Sequence, residues 1–294
     1  MDIFYKYSNI CKYRYPVVAL GVFDGVHVGH RKIIKSAVKE AKQNNGQCIV
    51  VTFWPHPQGQ ESLYSLQHRQ KIFSELGVDV CLVIRFTKSF SKIYAEDFVR
   101  RVLVDGLKAK TVYIGRNFSF GKGAKGNSIL LKTLGKKFGI CVRVFKLACM
   151  YNNIISSTCI RRLISDGKLS QASAMLGRPV SVMGKVMRGK GLGRKLGFAT
   201  ANIHPHHEVV PNPGVYLTET IFNGNKLPSV CFVGKKFSFV EAHILNFHKN
   251  LYGKILEVQF LKKIRNEKKF PDHQSLSQQI RKDVAKASAY FSKH

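Results

Sequence analysis

Two histidines three residues apart, His27 and His30, stand in the segment FDGVHVGH together with Gly25 and Gly29. If a helix begins there, both imidazoles face one ligand and can donate to phosphate oxygens. The glycines let the backbone approach an anion closely, and Gly21, Phe23 and Asp24 complete the candidate loop. A second constellation, RGKGLGRKLGFATANI over Arg188–Ile203, carries Gly191, Gly193, Lys190, Arg194 and Lys195, then Thr200 and Asn202. On an extended chain Thr200 and Asn202 point the same way. They offer two neutral oxygens to a Mg²⁺ ion that otherwise keeps waters and substrate phosphates. A third segment, ISSTCIR, puts Ser156, Ser157 and Thr158 at the start of an apolar-periodic helix, with Arg161 within one turn; such hydroxyls cap a helix and bind phosphate with the same atoms. By themselves these segments also read as a surface histidine pair, a basic hairpin loop and ordinary helix punctuation.

The surrounding elements favour phosphate chemistry for the first segment. PVVALGVF, Pro16 to Phe23, is a Val-rich run suited to a buried parallel strand. In RKIIKSAVKEAK, the residues Ile33, Ile34, Ala37, Val38 and Ala41 line one helical face. The histidines therefore lie between strand and helix, where unpaired backbone N–H groups and the macrodipole attract anions. QCIVVTFWPHP, VDVCLVIRF, the helical EDFVRRVLVDGL and KTVYIGRNFSFGKGAKGN continue the alternation, which implies an α/β domain with a doubly wound sheet. The Gly-rich stretch after TVYIG falls where such sheets place ligands. Asn117, Phe118, Lys122 and Lys125 are thereby candidates for a nucleotide site.

After LGRPV the pattern shortens: SVMGKVM, GVYLTETIF, LPSVCFVG and KILEVQFL alternate between Gly, Asn and Lys turns. An antiparallel sheet or small barrel is expected, closed by a helix over SLSQQIRKDVAKASAYF. The domains divide as residues 1–178 and 179–294.

The 294 residues leave room for two cores. Seven cysteines without a CxxC pair imply reduced thiols, and the absence of a long apolar run implies a cytoplasmic protein with no membrane partner. The net charge of +31 attracts polyanions, but the basic residues are spread along the chain without a nucleic-acid module. A general surface bias, with no specific nucleic-acid partner, is the expectation; oligomeric state is left open.

Taken in order, FDGVHVGH, TFWPHP, YIGRNFSFG and ISSTCIR resemble the FMN adenylyltransferase module of bacterial bifunctional riboflavin kinase/FAD synthetases. GFATANI, PNPGVY, VEAHILNF and LYGKILEVQF resemble the riboflavin kinase module of the same family. The resemblance implies a Rossmann-like nucleotidyltransferase domain followed by a β-barrel kinase domain. It also implies ATP as co-substrate, riboflavin, FMN and FAD as substrates and products, and Mg²⁺. By it, His27 and His30 contact ATP phosphates, with Ser156, Thr158 and Arg161 closing from the opposite side, and Asn117 orients ATP and FMN. Thr200 and Asn202 bind Mg·ATP, and Glu241 is the kinase base. The sequence departs from the family at Ala199, where Pro is usual, and at Lys236, Phe237 and Ser238, where Arg-Pro-Thr is usual. Two other readings remain beside it: an FMN adenylyltransferase with a degenerate kinase domain, and a basic nucleic-acid-binding protein on a nucleotidyltransferase fold.

Overall fold

The computed structural model describes residues 1–7, 13–59, 61–150, 153–189, 191, 193, 196–205, 208–234 and 239–293. By internal contacts the chain forms two units: Met1–Ser62 with Leu66–Ser156, and Leu63–Ser65 with Ser157–His294. The first is the α/β unit and the second holds a closed antiparallel barrel and a final helix, as the sequence pattern implies.

In the first unit six strands run parallel: β1 (Asp2–Phe4), β2 (Pro16–Leu20), β3 (Gln47–Trp54), β4 (Val80–Arg85), β5 (Thr111–Gly115) and β6 (Cys141–Phe145). Their order is β1-β4-β3-β2-β5-β6. The chain moves outward from β2 to β4, then returns to lay β5 on the other side of β2. The sheet order thus reverses at the β2/β5 boundary, and the crevice at their carboxyl ends is where open α/β sheets take ligands. Helix α1 (Val28–Gln43) packs on β2, β3 and β5 and buries Ile33, Ile34, Ala37, Val38 and Ala41, the face its periodicity marks. Helix α2 (Leu66–Glu75) follows β3. Helix α3 (Ala95–Phe98) widens into a π-helical segment, Val99–Gly106, and α4 (Ser128–Phe138) precedes β6. Val99, Val102, Leu103, Leu131 and Leu134 share the core with strand residues such as Val18, Leu20, Val51 and Val112.

Two two-residue strands, β7 (Cys149–Met150) and β8 (Asn153–Ile154), lead to the second unit. There α5 (Ser157–Ser165) packs on α6 (Leu169–Leu176), and α6 packs on barrel strands β9 (Val180–Met187) and β14 (Ile255–Arg265). This packing draws residues 157–178 to the barrel's side of the contact division. The ring closes through β10 (Ala201–Pro205), β13 (Val240–Ile244), β12 (Asn225–Val233), β11 (Gly214–Phe222), β14 and β9. The last helix, α7 (His273–Phe291), begins under an Asp272 cap whose carboxylate accepts the Ser275 N–H at 2.7 Å. Arg265 of β14 holds that helix through the buried Asp283 carboxylate, 2.8 Å away.

Candidate functional site

The loop between β2 and α1 is built around its histidines. His27 caps α1: its Nδ1 accepts the His30 N–H at 3.4 Å, so in the neutral ring the proton sits on Nε2. The two rings stack, centroids 3.5 Å apart and planes 19° from parallel, and Phe23 meets His30 edge-on at 5.3 Å. A methyl group on Gly29 would stand 3.3 Å from the His27 ring, so the stack occupies space that a side chain would take. Phe23, Gly25 and Val26 have φ of 53°, 72° and 40°. For Phe and the β-branched Val this conformation costs on the order of 1–3 kcal/mol each, and the surrounding packing must hold it.

The entry to this turn is braced by Arg69, a residue for which the sequence offers no signal beyond a lone cation on a helix. Arg69 is 1% exposed, and its Nη1 donates to the Val22 carbonyl at 2.6 Å and to Thr52 Oγ1 at 3.0 Å. Thr52, from the TFWPHP segment, donates its hydroxyl to the same carbonyl at 2.7 Å. The guanidinium also lies 5.4 Å from the Trp54 ring centroid. Burial lowers the basicity of Arg69 and the Asp24 carboxylate opposes that shift.

Asn117 is exposed in the turn after β5, a strand paired with β2, so both loops leave the same end of the sheet. Phe118 stacks on Phe120 at 5.6 Å, and Lys122 and Lys125 are exposed in the following loop. Ser156 ends the first unit. Ile155 beside it donates its N–H to Ala148, whose Cβ lies 3.6 Å from the space beside Gly29, so Ser156 is anchored near the histidine loop. Ser157, Thr158 and Arg161 belong to the second unit, with α5 starting at Ser157.

In the barrel, Asn202 of β10 pairs directly with Glu241 of β13, which places the two side chains on one face of adjacent strands. Gly189 lies against Asn202 so closely that a Cβ there would meet its Nδ2 at 2.4 Å, and a Cβ on Gly193 would meet Thr200 Oγ1 at 3.1 Å. The glycine loop thus folds onto both oxygen-bearing residues. Its end is closed by the Phe198 N–H donating to the Gly193 carbonyl at 2.8 Å. Gly191 sits on the loop at φ 69°, where an L side chain would be strained. Burial raises the Glu241 carboxyl above the ordinary glutamate range. Arg194, like Lys190, Lys195 and the Lys236–Ser238 departure, lies outside the described residues. No cluster of three His, Cys, Asp or Glu side chains suited to a metal occurs among the described residues.

A family model described as FAD synthetase matches residues 12–159, and one described as riboflavin kinase matches residues 176–291. A bifunctional riboflavin kinase/FMN adenylyltransferase from Buchnera aphidicola subsp. Schizaphis graminum is 36% identical, over 93% of this chain and 93% of its own. One of the same name from Haemophilus influenzae is 36% identical, over 93% and 94%. The crystal structure of a protein named macrolide-efflux protein from Streptococcus pneumoniae has a TM-score of 0.82 at 26% identity, over 96% of this chain and 97% of that one.

Proposed function

The chain belongs to the bifunctional riboflavin kinase/FMN adenylyltransferases, and from that premise we propose how its residues divide the two reactions. It phosphorylates riboflavin to FMN with ATP, then adenylylates FMN with ATP to FAD, releasing pyrophosphate. The observation that carries the division of labour is that two glycine-bearing loops occur in two separately compact units, one around a histidine pair and one against Thr200 and Asn202, with Glu241 paired to Asn202.

In adenylylation the FMN phosphate attacks the α-phosphorus of ATP in line, so alignment and charge neutralisation suffice and no nucleophilic side chain is required. His27 and His30 donate to the ATP phosphates beside the N-terminus of α1. Gly21, Phe23, Asp24, Gly25 and Gly29 shape that turn, and Asn117 orients the nucleotide and flavin. Ser156, Ser157, Thr158 and Arg161 supply further donors, Arg161 the charged one. By activity, this assigns residues 1–178 to adenylylation and 179–294 to the kinase, although the compact units part at Ser156/Ser157.

In the kinase reaction Thr200 and Asn202 hold Mg²⁺. Their fit rests on donor chemistry: two neutral oxygens with glycine backbone pressed against them, the partial set that leaves room for waters and phosphates. Bound there, the cation neutralises charge on the transferred phosphoryl group. Gly191, Gly193 and Arg194 cover the ATP phosphates, and Glu241 accepts the proton of the riboflavin 5′-hydroxyl as that oxygen attacks the γ-phosphorus. Its raised carboxyl brings the base closer to the working pH.

Incubation with riboflavin, ATP and Mg²⁺, followed by chromatography, tests the division. Replacing both His27 and His30 by Ala leaves FMN accumulating without FAD, and Glu241→Gln leaves FAD formation from supplied FMN intact. FAD synthesis by the double histidine variant at the wild-type rate would overturn the site. The reading extends to a cytoplasmic enzyme with small-molecule partners and no specific nucleic-acid or membrane partner. No helix among the described residues is long and apolar enough to cross a membrane. Tight, sequence-selective DNA binding at physiological salt would contradict this, because a diffuse +31 charge supports only salt-sensitive association.

A further inference from the structure

The β10–β13 ladder pairs Ile203 with Val240, Asn202 with Glu241 and Ala201 with Ala242, and there it stops. One step further, Thr200 and His243 would be opposite each other. In place of another ladder pair, His243 Nδ1 bonds the Ala199 carbonyl at 2.8 Å, and its ring takes the Phe198 ring edge-on at 5.6 Å. A carbonyl only accepts, so Nδ1 carries the proton and donates. Thr200 is thereby fixed on both sides: by ladder pairing at Ala201 and by the side chain of His243 at Ala199.

We propose that His243 is a positioning residue of the kinase site, which clamps the Phe198–Ala199 exit of the phosphate loop so that Thr200 stays beside Asn202. The inference rests on the kinase reading of that loop. His243 stands two residues from Glu241 on the same strand, so one element carries the base and the clamp for the metal-binding segment. At position 199 the chain has Ala, whose φ is free, where a Pro ring would restrict it; the hydrogen bond from His243 supplies a restraint on that residue from outside.

A positioning role differs from a general packing role in what it moves. His243→Ala is expected to raise the KM for Mg·ATP in FMN formation roughly 10-fold, the worth of one hydrogen bond of ordinary strength. The KM for riboflavin and the rate of FAD formation from supplied FMN stay unchanged. His243→Asn restores most of the loss, because its amide nitrogen lies near the place of Nδ1 and can donate to the same carbonyl. Calorimetric titration of the Mg²⁺ complex of α,β-methylene-ATP, which cannot transfer its adenylyl group, into the full-length chain with saturating FMN present to occupy the flavin sites measures the same contrast without turnover. Wild-type chain that makes no FMN would sink the kinase reading, while that titration still decides the clamp. Equal Mg·ATP affinity for wild type and His243→Ala, equal losses for the Ala and Asn variants, or a parallel rise in both KM values would each overturn the inference.

Discussion

Ser65 donates its backbone N–H to Glu208 Oε1 at 2.9 Å, and the other oxygen of that carboxylate takes the N–H of Met183 in β9 at 2.8 Å. Leu63, Tyr64 and Ser65 are thus part of the barrel's unit although the chain on both sides of them belongs to the sheet's unit. Tyr64 is 1% exposed, with the Arg178 guanidinium 4.8 Å from its ring centroid. Tyr64→Ala is expected to destabilise the barrel unit by about 3–5 kcal/mol, the usual cost of emptying a buried aromatic site. Urea unfolding followed by loss of kinase activity measures it, and an unchanged midpoint would contradict the assignment of this strap. For the same reason a fragment starting at residue 179 should unfold at lower urea than the barrel in the full chain.

Arg69 is expected to support FAD formation without touching substrate. Arg69→Met removes both donors to the Val22 carbonyl and Thr52 and leaves that carbonyl with the Thr52 hydroxyl alone, at about 1–3 kcal/mol. The strained turn at Phe23 and Val26 then loses one brace at its entry. FAD formation should fall well before FMN formation does; equal decline of both products would point to general unfolding.

His27 has two separable roles. It caps α1 through Nδ1, and its Nε2–H is the proposed phosphate donor. Asn is a good cap, so His27→Asn should keep the wild-type stability, whereas His27→Ala should lose about 1 kcal/mol. Both variants should lose FAD formation. An active His27→Asn enzyme would show that the ring's only function is the cap.

Burial raises the Glu241 carboxyl, and this fixes the sign of a pH effect. A base works when ionised, so FMN formation should fall as pH drops through a value above that of an ordinary glutamate, about 4.3. FAD formation from supplied FMN should lack that limb. The pH profile of kcat/KM for each product decides it, and a shared acid limb would remove Glu241 as its source. Glu241→Gln should abolish the limb together with most of the turnover.

The sequence by itself determined what depends on neighbours along the chain. Apolar residues at helical spacing marked the buried face of α1, Val-rich runs marked β2 to β5, and FDGVHVGH was legible as the turn between strand and helix, the place proposed here for phosphate. It also carried the change to short alternating strands after residue 179. The tertiary structure decided matters in which surfaces far apart in sequence are buried together. Arg69 looks like any surface cation on a helix until Val22 and Thr52 close around it. Leu63–Ser65 carries no periodicity that assigns it to the barrel, because its partner Glu208 lies 143 residues away. Asp2–Phe4 becomes a strand only because β4 offers it an edge, and Asp272, ahead of the serines, caps the last helix. His243 reads as an alternating strand residue until the β10 ladder ends one step short of it. Local spacing reports which face of an element is apolar, but it says nothing about which carbonyl or carboxylate the fold will bring against that face.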